Sequence, residues 1–219
     1  MAVDNIARGM AAKALENQGG GGDSADSIID RSVTSITSNT AEVGPNAFSS
    51  CVALTTVNFP VAINIGGNAF AGCISLKTVD IPVATNIEAF AFSQCTALET
   101  ASFPSAETIG FAAFDFCEFL NTIDFPVATN IEAYAFNSCR ALGTVIIRTP
   151  AVCTLSAIDA FTSTLIESGK GYIYVPAALV DSYKAETNWS TYAAQFRALE
   201  DYTVDGTITG ELDPAKTGT

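Results

Sequence analysis

Histidine is absent from the 219-residue sequence, and this absence narrows the chemistry that the chain can carry out. Without an imidazole there is no histidine-based catalytic triad, no histidine metal ligand and no imidazole general base. The carboxylates are scattered, and the sequence pattern places no nucleophile beside a base. We therefore predict a protein that is not an enzyme, with no catalytic residue, no metal site and no cofactor.

Basic residues are also scarce: ten Lys and Arg stand against 23 Asp and Glu, which gives a net charge of −13. Phosphate contacts need clustered Lys or Arg, so we expect neither nucleic acid nor an anionic membrane surface as a partner. A cationic or neutral protein partner, or a glycan, stays open.

Long hydrophobic runs are missing too. No stretch approaches the roughly 20 apolar residues of a membrane span, so we expect no membrane insertion. The N-terminus lacks a basic end followed by an apolar core. This argues against export by the usual secretory route and fits a cytoplasmic protein, or one assembled into a particle inside the cell.

The sequence does contain a short pattern that recurs every 22 residues between about Val43 and Ile147. A fixed period of this length predicts stacked structural repeats, in which each coil buries its apolar side against its neighbours. The pattern has a cysteine, an Ala-Phe pair and a leucine in each copy: Cys51, Cys73, Cys95, Cys117 and Cys139; Phe48, Phe70, Phe92, Phe114 and Phe136; Leu54, Leu76, Leu98, Leu120 and Leu142.

One repeat unit, residues 76–97, shows what each coil is expected to do. Val79 and Ile81 alternate with polar residues, which is the period of a half-buried strand, and Pro82 ends that strand. Ile87 begins the return path. Phe92 and Cys95 then lie at helical spacing, which predicts a short helical turn. Parallel strands in neighbouring coils would lie roughly 4.8 Å apart.

The phrase L-x-x-V-x-F/I-P-x-A-x-x-I-x-x-x-A-F-x-x-C resembles the BspA-like leucine-rich repeats, and it covers about half of the chain. The resemblance implies an α/β repeat fold: a curved leucine-rich-repeat solenoid with parallel strands and short helical turns, used for adhesion or recognition without catalysis. The sequence departs from the pattern mildly. Ala101 replaces the strand valine, and Thr108 interrupts an asparagine column formed by Asn64, Asn86 and Asn130.

The repeats divide the chain into five predicted segments. These are an N-terminal helix and glycine tether (1–22), an N-terminal cap (23–42), the leucine-rich repeats (43–148), a helical C-terminal cap (149–200) and a polar tail that is either hairpin-like or loose (201–219). In the C-terminal cap, Pro176 suits the first turn of a helix, and a second helix is predicted near Ser190. This region resembles the ends of similar repeat proteins from gut bacteria and their phages.

The N-terminal segment is a candidate assembly element. Residues 2–17 form a predicted amphipathic helix with Ile6, Met10 and Leu15 in a loose apolar stripe. A helix this short is marginal alone, so its expected use is docking to a larger assembly or self-association. A frayed terminal helix without a role is the alternative. The glycine run that follows lacks the Gly-Lys-Ser/Thr ending of a phosphate-binding loop.

The column of five cysteines could indicate a metal site or disulfide bonds. The 22-residue spacing lacks the close C-x-x-C pair of zinc sites, and side chains that point in parallel from successive coils do not converge as a disulfide requires. We predict that all six cysteines are reduced, buried thiols that act as small apolar groups.

The outward strand positions are the candidate binding strip. Its first column contains only threonine and its second is mainly polar: Thr56, Thr78, Thr100, Thr122 and Thr144; Asn58, Asp80, Ser102, Asp124 and Ile146. Threonine also favours strands, so the columns can be purely structural. A regular threonine ladder can also match ordered water or ice, but Asp80 and Asp124 interrupt such a surface. These two carboxylates also lie too far apart to share one calcium ion. Loops around Gly66-Gly67 or Phe111 are alternative binding surfaces.

These features predict a non-enzymatic recognition or display protein. The missing secretory signal, the tether and the family resemblance together favour a phage or prophage virion component, such as a tail-fibre, decoration or host-attachment protein. It would be located in the virion, or in the cytoplasm before assembly, and would join a larger assembly through residues 1–22. One alternative is an adhesin on the bacterial cell surface that binds a host protein or glycan. Another is a purely structural particle protein. A homo-oligomer is left open.

Overall fold

The computed structural model describes residues 32–204 and 207–208, with side chains described through residue 202. The candidate assembly helix with Ile6, Met10 and Leu15, the glycine tether and residues 209–219 lie outside the described residues. In the described part, the chain winds into a stack of coils. Each coil places one strand on a first side of the stack and a shorter strand on a second side.

The strands of the first side are parallel and pair coil to coil. They form two four-stranded sheets, β1-β3-β5-β7 and β9-β11-β13-β14, and β7 lies beside β9 where the hydrogen-bonded ladder is interrupted. Their bounds are β1 Ser35–Thr37, β3 Thr56–Asn58, β5 Thr78–Asp80, β7 Thr100–Ser102, β9 Thr122–Phe125, β11 Thr144–Ile147, β13 Tyr172–Val175 and β14 Phe196–Ala198.

The second side is one continuous six-stranded parallel sheet in the order β2-β4-β6-β8-β10-β12. Its strands are β2 Glu42–Val43, β4 Asn64–Ile65, β6 Asn86–Ile87, β8 Thr108–Ile109, β10 Asn130–Ile131 and β12 Thr154–Leu155. Near the C-terminus, β15 Thr203–Val204 pairs antiparallel with β16 Thr207–Ile208, which is a hairpin arrangement. Within the described residues, no helix is both long enough and apolar enough to span a membrane.

The strand register follows the repeat in the centre and changes at both ends. Thr56, Thr78 and Thr100 are direct Cα partners at the 22-residue step. Ser35 pairs with Thr56, one position short of that step, so the segment predicted as an N-terminal cap contributes a strand to the first sheet. Thr144 pairs with Tyr172 across a longer connection, so strand pairing also continues past Leu142.

The core of the stack is a column of phenylalanine rings. Successive rings lie face to face with centroids 5.2–5.4 Å apart and interplanar angles of 4–14°. The column contains the five predicted rings and a sixth at the C-terminal end: Phe48, Phe70, Phe92, Phe114, Phe136 and Phe161. Each of these side chains is buried. Burial of one such ring contributes about 1.5–3 kcal/mol, so the column is a main source of the stability of the stack.

The segment after each of the strands β2, β4, β6, β8 and β10 differs from the predicted helical turn: it is a run of hydrogen-bonded turns. A 3₁₀ helix, Ile158–Phe161, follows β12. The Ala91 amide bonds within its own coil to the Glu88 carbonyl, whereas the Phe92 amide donates to Ala113 in the next coil. A continuous helix would direct every amide along its own axis. The alternation requires left-handed backbone at Phe90 and Gln94, with φ near +60°.

The predicted helical C-terminal region is confirmed. A 3₁₀ turn at Ala177–Leu179 leads into α1, Val180–Ala185, and a second 3₁₀ segment covers Trp189–Gln195. This segment lies at the helix predicted near Ser190 and ends where Phe196 begins strand β14.

Side chains of the C-terminal region complete the edge of β12. The indole of Trp189 donates to the Cys153 carbonyl at 2.6 Å, and the Cys153 amide donates to the Tyr183 hydroxyl at 2.8 Å. The Asn188 amide donates to the Leu155 carbonyl at 2.7 Å. These groups take the place of a further strand and satisfy backbone groups that would otherwise be left without partners at the end of the second sheet.

Candidate recognition surface

The threonine column of the predicted binding strip lies on the outer face of the first side. In β5, Thr78 and Asp80 are exposed while Val79 between them is buried, because successive side chains of a strand point to opposite faces. The same alternation holds for β3, and direct pairing aligns the threonines from coil to coil. Thr56, Thr78 and Thr100 are exposed, whereas Thr122 and Thr144 are half-buried.

The hydroxyl groups of this column differ from those of other threonines in the repeats. Thr55, Thr85 and Thr129 each donate to a backbone carbonyl of the preceding coil, over 2.8–3.5 Å. Among the described residues, no hydrogen bond holds the hydroxyls of the threonine column. Their donors and acceptors therefore remain available on the outer face.

The second column is only partly available. Asp80 and Ser102 are exposed, and Asn58 is half-buried with an Oδ1 atom that has no hydrogen-bond partner among the described residues. The Asp124 carboxylate accepts three hydrogen bonds from the Arg148 guanidinium, with the shortest N–O distance 2.8 Å. This ion pair fixes Asp124 in place and neutralises its charge.

Ile146 is not part of the accessible strip, which corrects its place in the predicted binding set. Its side chain is only 2% exposed. The Cα partners of Ile146 are Asp124, which is held by Arg148, and Tyr174, whose ring lies 4.8 Å from that of Tyr202. The larger side chains of the C-terminal coils thus close this end of the second column.

The strip has an aromatic and cationic end that its repeat columns did not predict. Tyr172 follows Thr144 in the strand register and is exposed, and the Arg197 guanidinium lies 4.3 Å from the centre of its ring. Burial raises the pKa of the neighbouring Tyr174 phenol. Tyrosine and arginine are enriched where protein interfaces gain most of their affinity. The alternating pattern of residues 172–175 was a signal, but the longer connection removed these residues from the 22-residue columns.

The alternative loops also have definite positions. Gly66 is buried, and a Cβ there would lie 2.6 Å from the Pro45 nitrogen, so its role is close packing of the backbone. The Gly67 amide donates to Glu88 Oε2 at 2.8 Å. Phe111 is exposed and contacts the rings of Phe90 and Tyr134, so it lies in a row of surface aromatic side chains.

All six cysteines are buried thiols. The Sγ–H groups of Cys73 and Cys95 donate to phenylalanine carbonyls one coil away at 3.1 and 3.2 Å, and burial raises the pKa of Cys95 to about 12. A buried, protonated thiol is neither a nucleophile nor a metal ligand. Within the part of the chain that the structure describes, no group of three or more His, Cys, Asp or Glu could hold a metal ion.

The chain resembles known repeat proteins over most of its described length. The BspA type leucine-rich repeat region, in six copies, matches residues 29–165. A crystal structure of a leucine-rich repeat protein from T. pallidum shares 29% identity over 54% of this chain, with a TM-score of 0.51. A leucine-rich cell surface protein from Faecalibacterium prausnitzii A2-165 shares 31% identity over 64% of the chain, with a TM-score of 0.53.

A third similar structure, a leucine-rich repeat protein from Bacteroides ovatus ATCC 8483, covers 76% of this chain at 22% identity and a TM-score of 0.56. At that identity the likeness shows the fold alone. The chain spans 60%, 42% and 38% of the T. pallidum, B. ovatus and F. prausnitzii chains, respectively. No curated protein matches the chain.

Proposed function

The chain belongs to the BspA-type leucine-rich repeat family, and from this membership and the exposed strand face we propose that it is a non-enzymatic recognition protein. The recognition surface is the outer face of the first side, with the threonine column at its centre. The ligand is a protein or a glycan that offers hydrogen-bonding groups to a flat polar surface.

The observation that carries this proposal is the set of available hydroxyls in the threonine column. A hydroxyl is both donor and acceptor, and these groups repeat from coil to coil at the roughly 4.8 Å spacing of strands. Thr55, Thr85 and Thr129 show what structural threonines do in this stack, since their hydroxyls bond to the preceding coil. This difference favours ligand recognition over a purely structural particle protein.

The proposed setting is the surface of a bacterial cell. It rests on the similarity to the F. prausnitzii protein, whose name describes it as a leucine-rich cell surface protein. The virion setting, with attachment of residues 1–22 to a larger particle, stays a prediction from the sequence. Fractionation of producing cells separates the two settings. Chain in the wall fraction without particles supports the surface, and chain that co-sediments with particles supports the virion.

The recognition surface is tested with a labelled full-length chain on a printed panel of glycans and host extracellular proteins. Thr100→Lys places a long charged side chain in the middle of the strip. Thr154→Lys makes the same change at an exposed position of the second sheet and serves as the matched control. We expect a panel ligand whose binding falls at least about tenfold, or about 1.4 kcal/mol, in Thr100→Lys alone. Equal binding by both variants would contradict the proposal.

A further inference from the structure

Three aromatic side chains form a row on the surface, away from the threonine column. Phe90, Phe111 and Tyr134 follow the second-side strands of successive coils and are 36%, 38% and 40% exposed. Their rings meet edge to face, with centroids 5.3 and 5.6 Å apart. This geometry fixes the rings against one another while more than a third of each side chain stays accessible. We call these three side chains the aromatic row.

The backbone conformation at two positions of the row disfavours an aromatic side chain. Phe90 and Tyr134 have φ of +59° and +57°, a left-handed conformation that bulky side chains rarely adopt. At the corresponding positions of earlier coils, Asn46 and Asn68 have the same φ of +57°, and asparagine is a residue type that tolerates this conformation well. An aromatic residue that is both strained and exposed indicates a surface function rather than a contribution to folding.

Carboxylates that have no cationic partner among the described residues lie beside the row. Glu132 Oε2 accepts a hydrogen bond from the Phe111 amide at 2.9 Å, and Glu88 Oε1 accepts one from Asn64 Nδ2 at 2.9 Å. These neutral donors hold the carboxylates in place but do not neutralise their negative charge. A hydrogen bond with the Asp159 carboxylate raises the pKa of the Tyr134 phenol, which places a third acidic group at the end of the row.

Elsewhere in the described chain, three carboxylates have cationic partners in ion pairs: Asp124, Glu99 and Asp181. None of these ion pairs includes a carboxylate beside the aromatic row.

We infer that the aromatic row and its carboxylates form a second interaction surface, whose partner is a protein segment that carries arginine or lysine side chains. Aromatic faces attract cations, and a guanidinium can lie over a ring while bonding to a nearby carboxylate. The sign of the charge favours a cationic partner, because the chain has a net charge of −13 and the carboxylates beside the row are held in place. The row differs in position and in chemistry from the neutral hydroxyl surface of the threonine column.

The test measures binding of the full chain to a labelled Gly-Ser peptide that contains arginines, by fluorescence anisotropy at physiological salt. A matched peptide carries citrulline, which keeps the shape of arginine but lacks its charge. Phe90→Asn removes a ring and restores the residue type of Asn46 and Asn68. We expect it to weaken arginine-peptide binding about two- to fivefold, the effect of one exposed cation–π contact, and to leave the urea unfolding midpoint unchanged or higher.

Two control variants separate the row from general attraction to an acidic protein. Phe119→Asn makes the same chemical change at a ring that is 63% exposed and has no ring contact with the row among the described residues, so binding should be unchanged. Glu132→Gln keeps an acceptor for the Phe111 amide but removes the charge, and should weaken binding more than Glu200→Gln, which removes a charge elsewhere. At a screening length of about 8 Å, only nearby carboxylates act strongly.

The inference is overturned if the citrulline peptide binds as tightly as the arginine peptide, or if Phe90→Asn and Phe119→Asn have equal effects. It is also overturned if the row binds a neutral oligosaccharide, with a loss in Phe90→Asn, while the arginine peptide is indifferent to that substitution. Thr100→Val should leave arginine-peptide binding unchanged, so failure of this inference and failure of the proposed recognition surface are distinguishable.

Discussion

Removing one ring from the middle of the phenylalanine column should destabilise the stack strongly. Phe114 is fully buried and stacks on Phe92 and Phe136, each at 5.3 Å between centroids. Phe114→Ala loses about 1.5–3 kcal/mol of burial and its two stacked ring pairs, each worth about 0.5–1.5 kcal/mol. These contributions total about 2.5–6 kcal/mol, a range that contains the about 3–5 kcal/mol typical of core Phe→Ala changes.

Urea unfolding followed by far-UV circular dichroism measures this cost. With a slope of about 2 kcal/mol/M, a loss of 4 kcal/mol lowers the unfolding midpoint by about 2 M. Phe114→Leu keeps most of the apolar volume and should cost less than about 1.5 kcal/mol. Phe119→Ala changes an exposed ring and should stay within about 0.5 kcal/mol of the parent. If Phe114→Ala cost no more than Phe119→Ala, the stacked column would be refuted.

Three further predictions concern backbone packing, the C-terminal region and the thiols. Gly110→Ala should lower the free energy of unfolding by about 1–3 kcal/mol, because the added Cβ would lie 2.7 Å from the Ile87 carbonyl oxygen. In the same urea titration Gly67→Ala should leave the midpoint unchanged, because its added Cβ would lie 3.4 Å from the nearest atom. Trp189→Phe leaves a buried carbonyl without its 2.6 Å donor and should cost about 1–3 kcal/mol by the same measurement. A thiol reagent at pH 8 should label the cysteines of the native protein slowly and all six quickly in denaturant. The reason is that a pKa of about 12 at Cys95 leaves about 10⁻⁴ of that thiol ionised. Fast labelling of several cysteines before unfolding would contradict their burial.

The regular centre of the fold could be predicted because each coil repeats the same side-chain types at the same step. The leucine, phenylalanine and cysteine columns are all buried, and the alternation around Val79 gives the outer face of β5 as expected. A stack of identical coils translates sequence spacing directly into spatial neighbours. The threonine column follows from this relation.

The ends of the stack could not be predicted from the 22-residue period, because the connecting loops change length there. Phe161 continues the ring column although its Ala-Phe pair lies beyond the 22-residue step. This pair comes three residues late, and Tyr172 comes six residues late. Tyr172 therefore falls outside the threonine column by position, although it is the strand partner of Thr144. An Ala-Phe pair at any spacing was the signal that identified the continuing core.

The aromatic row was missed for a related reason. Phe90 and Tyr134 share one repeat position, but Ala112 occupies that position in the coil between them, and Phe111 supplies the ring from the preceding residue. A column taken at a fixed step therefore breaks at Ala112. Only the packing of the three rings shows that they form one surface.

The most direct test of the account is a lysine scan down the threonine column, with each variant measured against a ligand found on the binding panel. The scan substitutes Thr56, Thr78, Thr100, Thr122 and Thr144 one at a time and uses Thr154→Lys as the control. We predict that binding is lost at a contiguous block of neighbouring positions, because these threonines adjoin on one face. A scan in which every variant binds as well as Thr154→Lys would contradict recognition through this face.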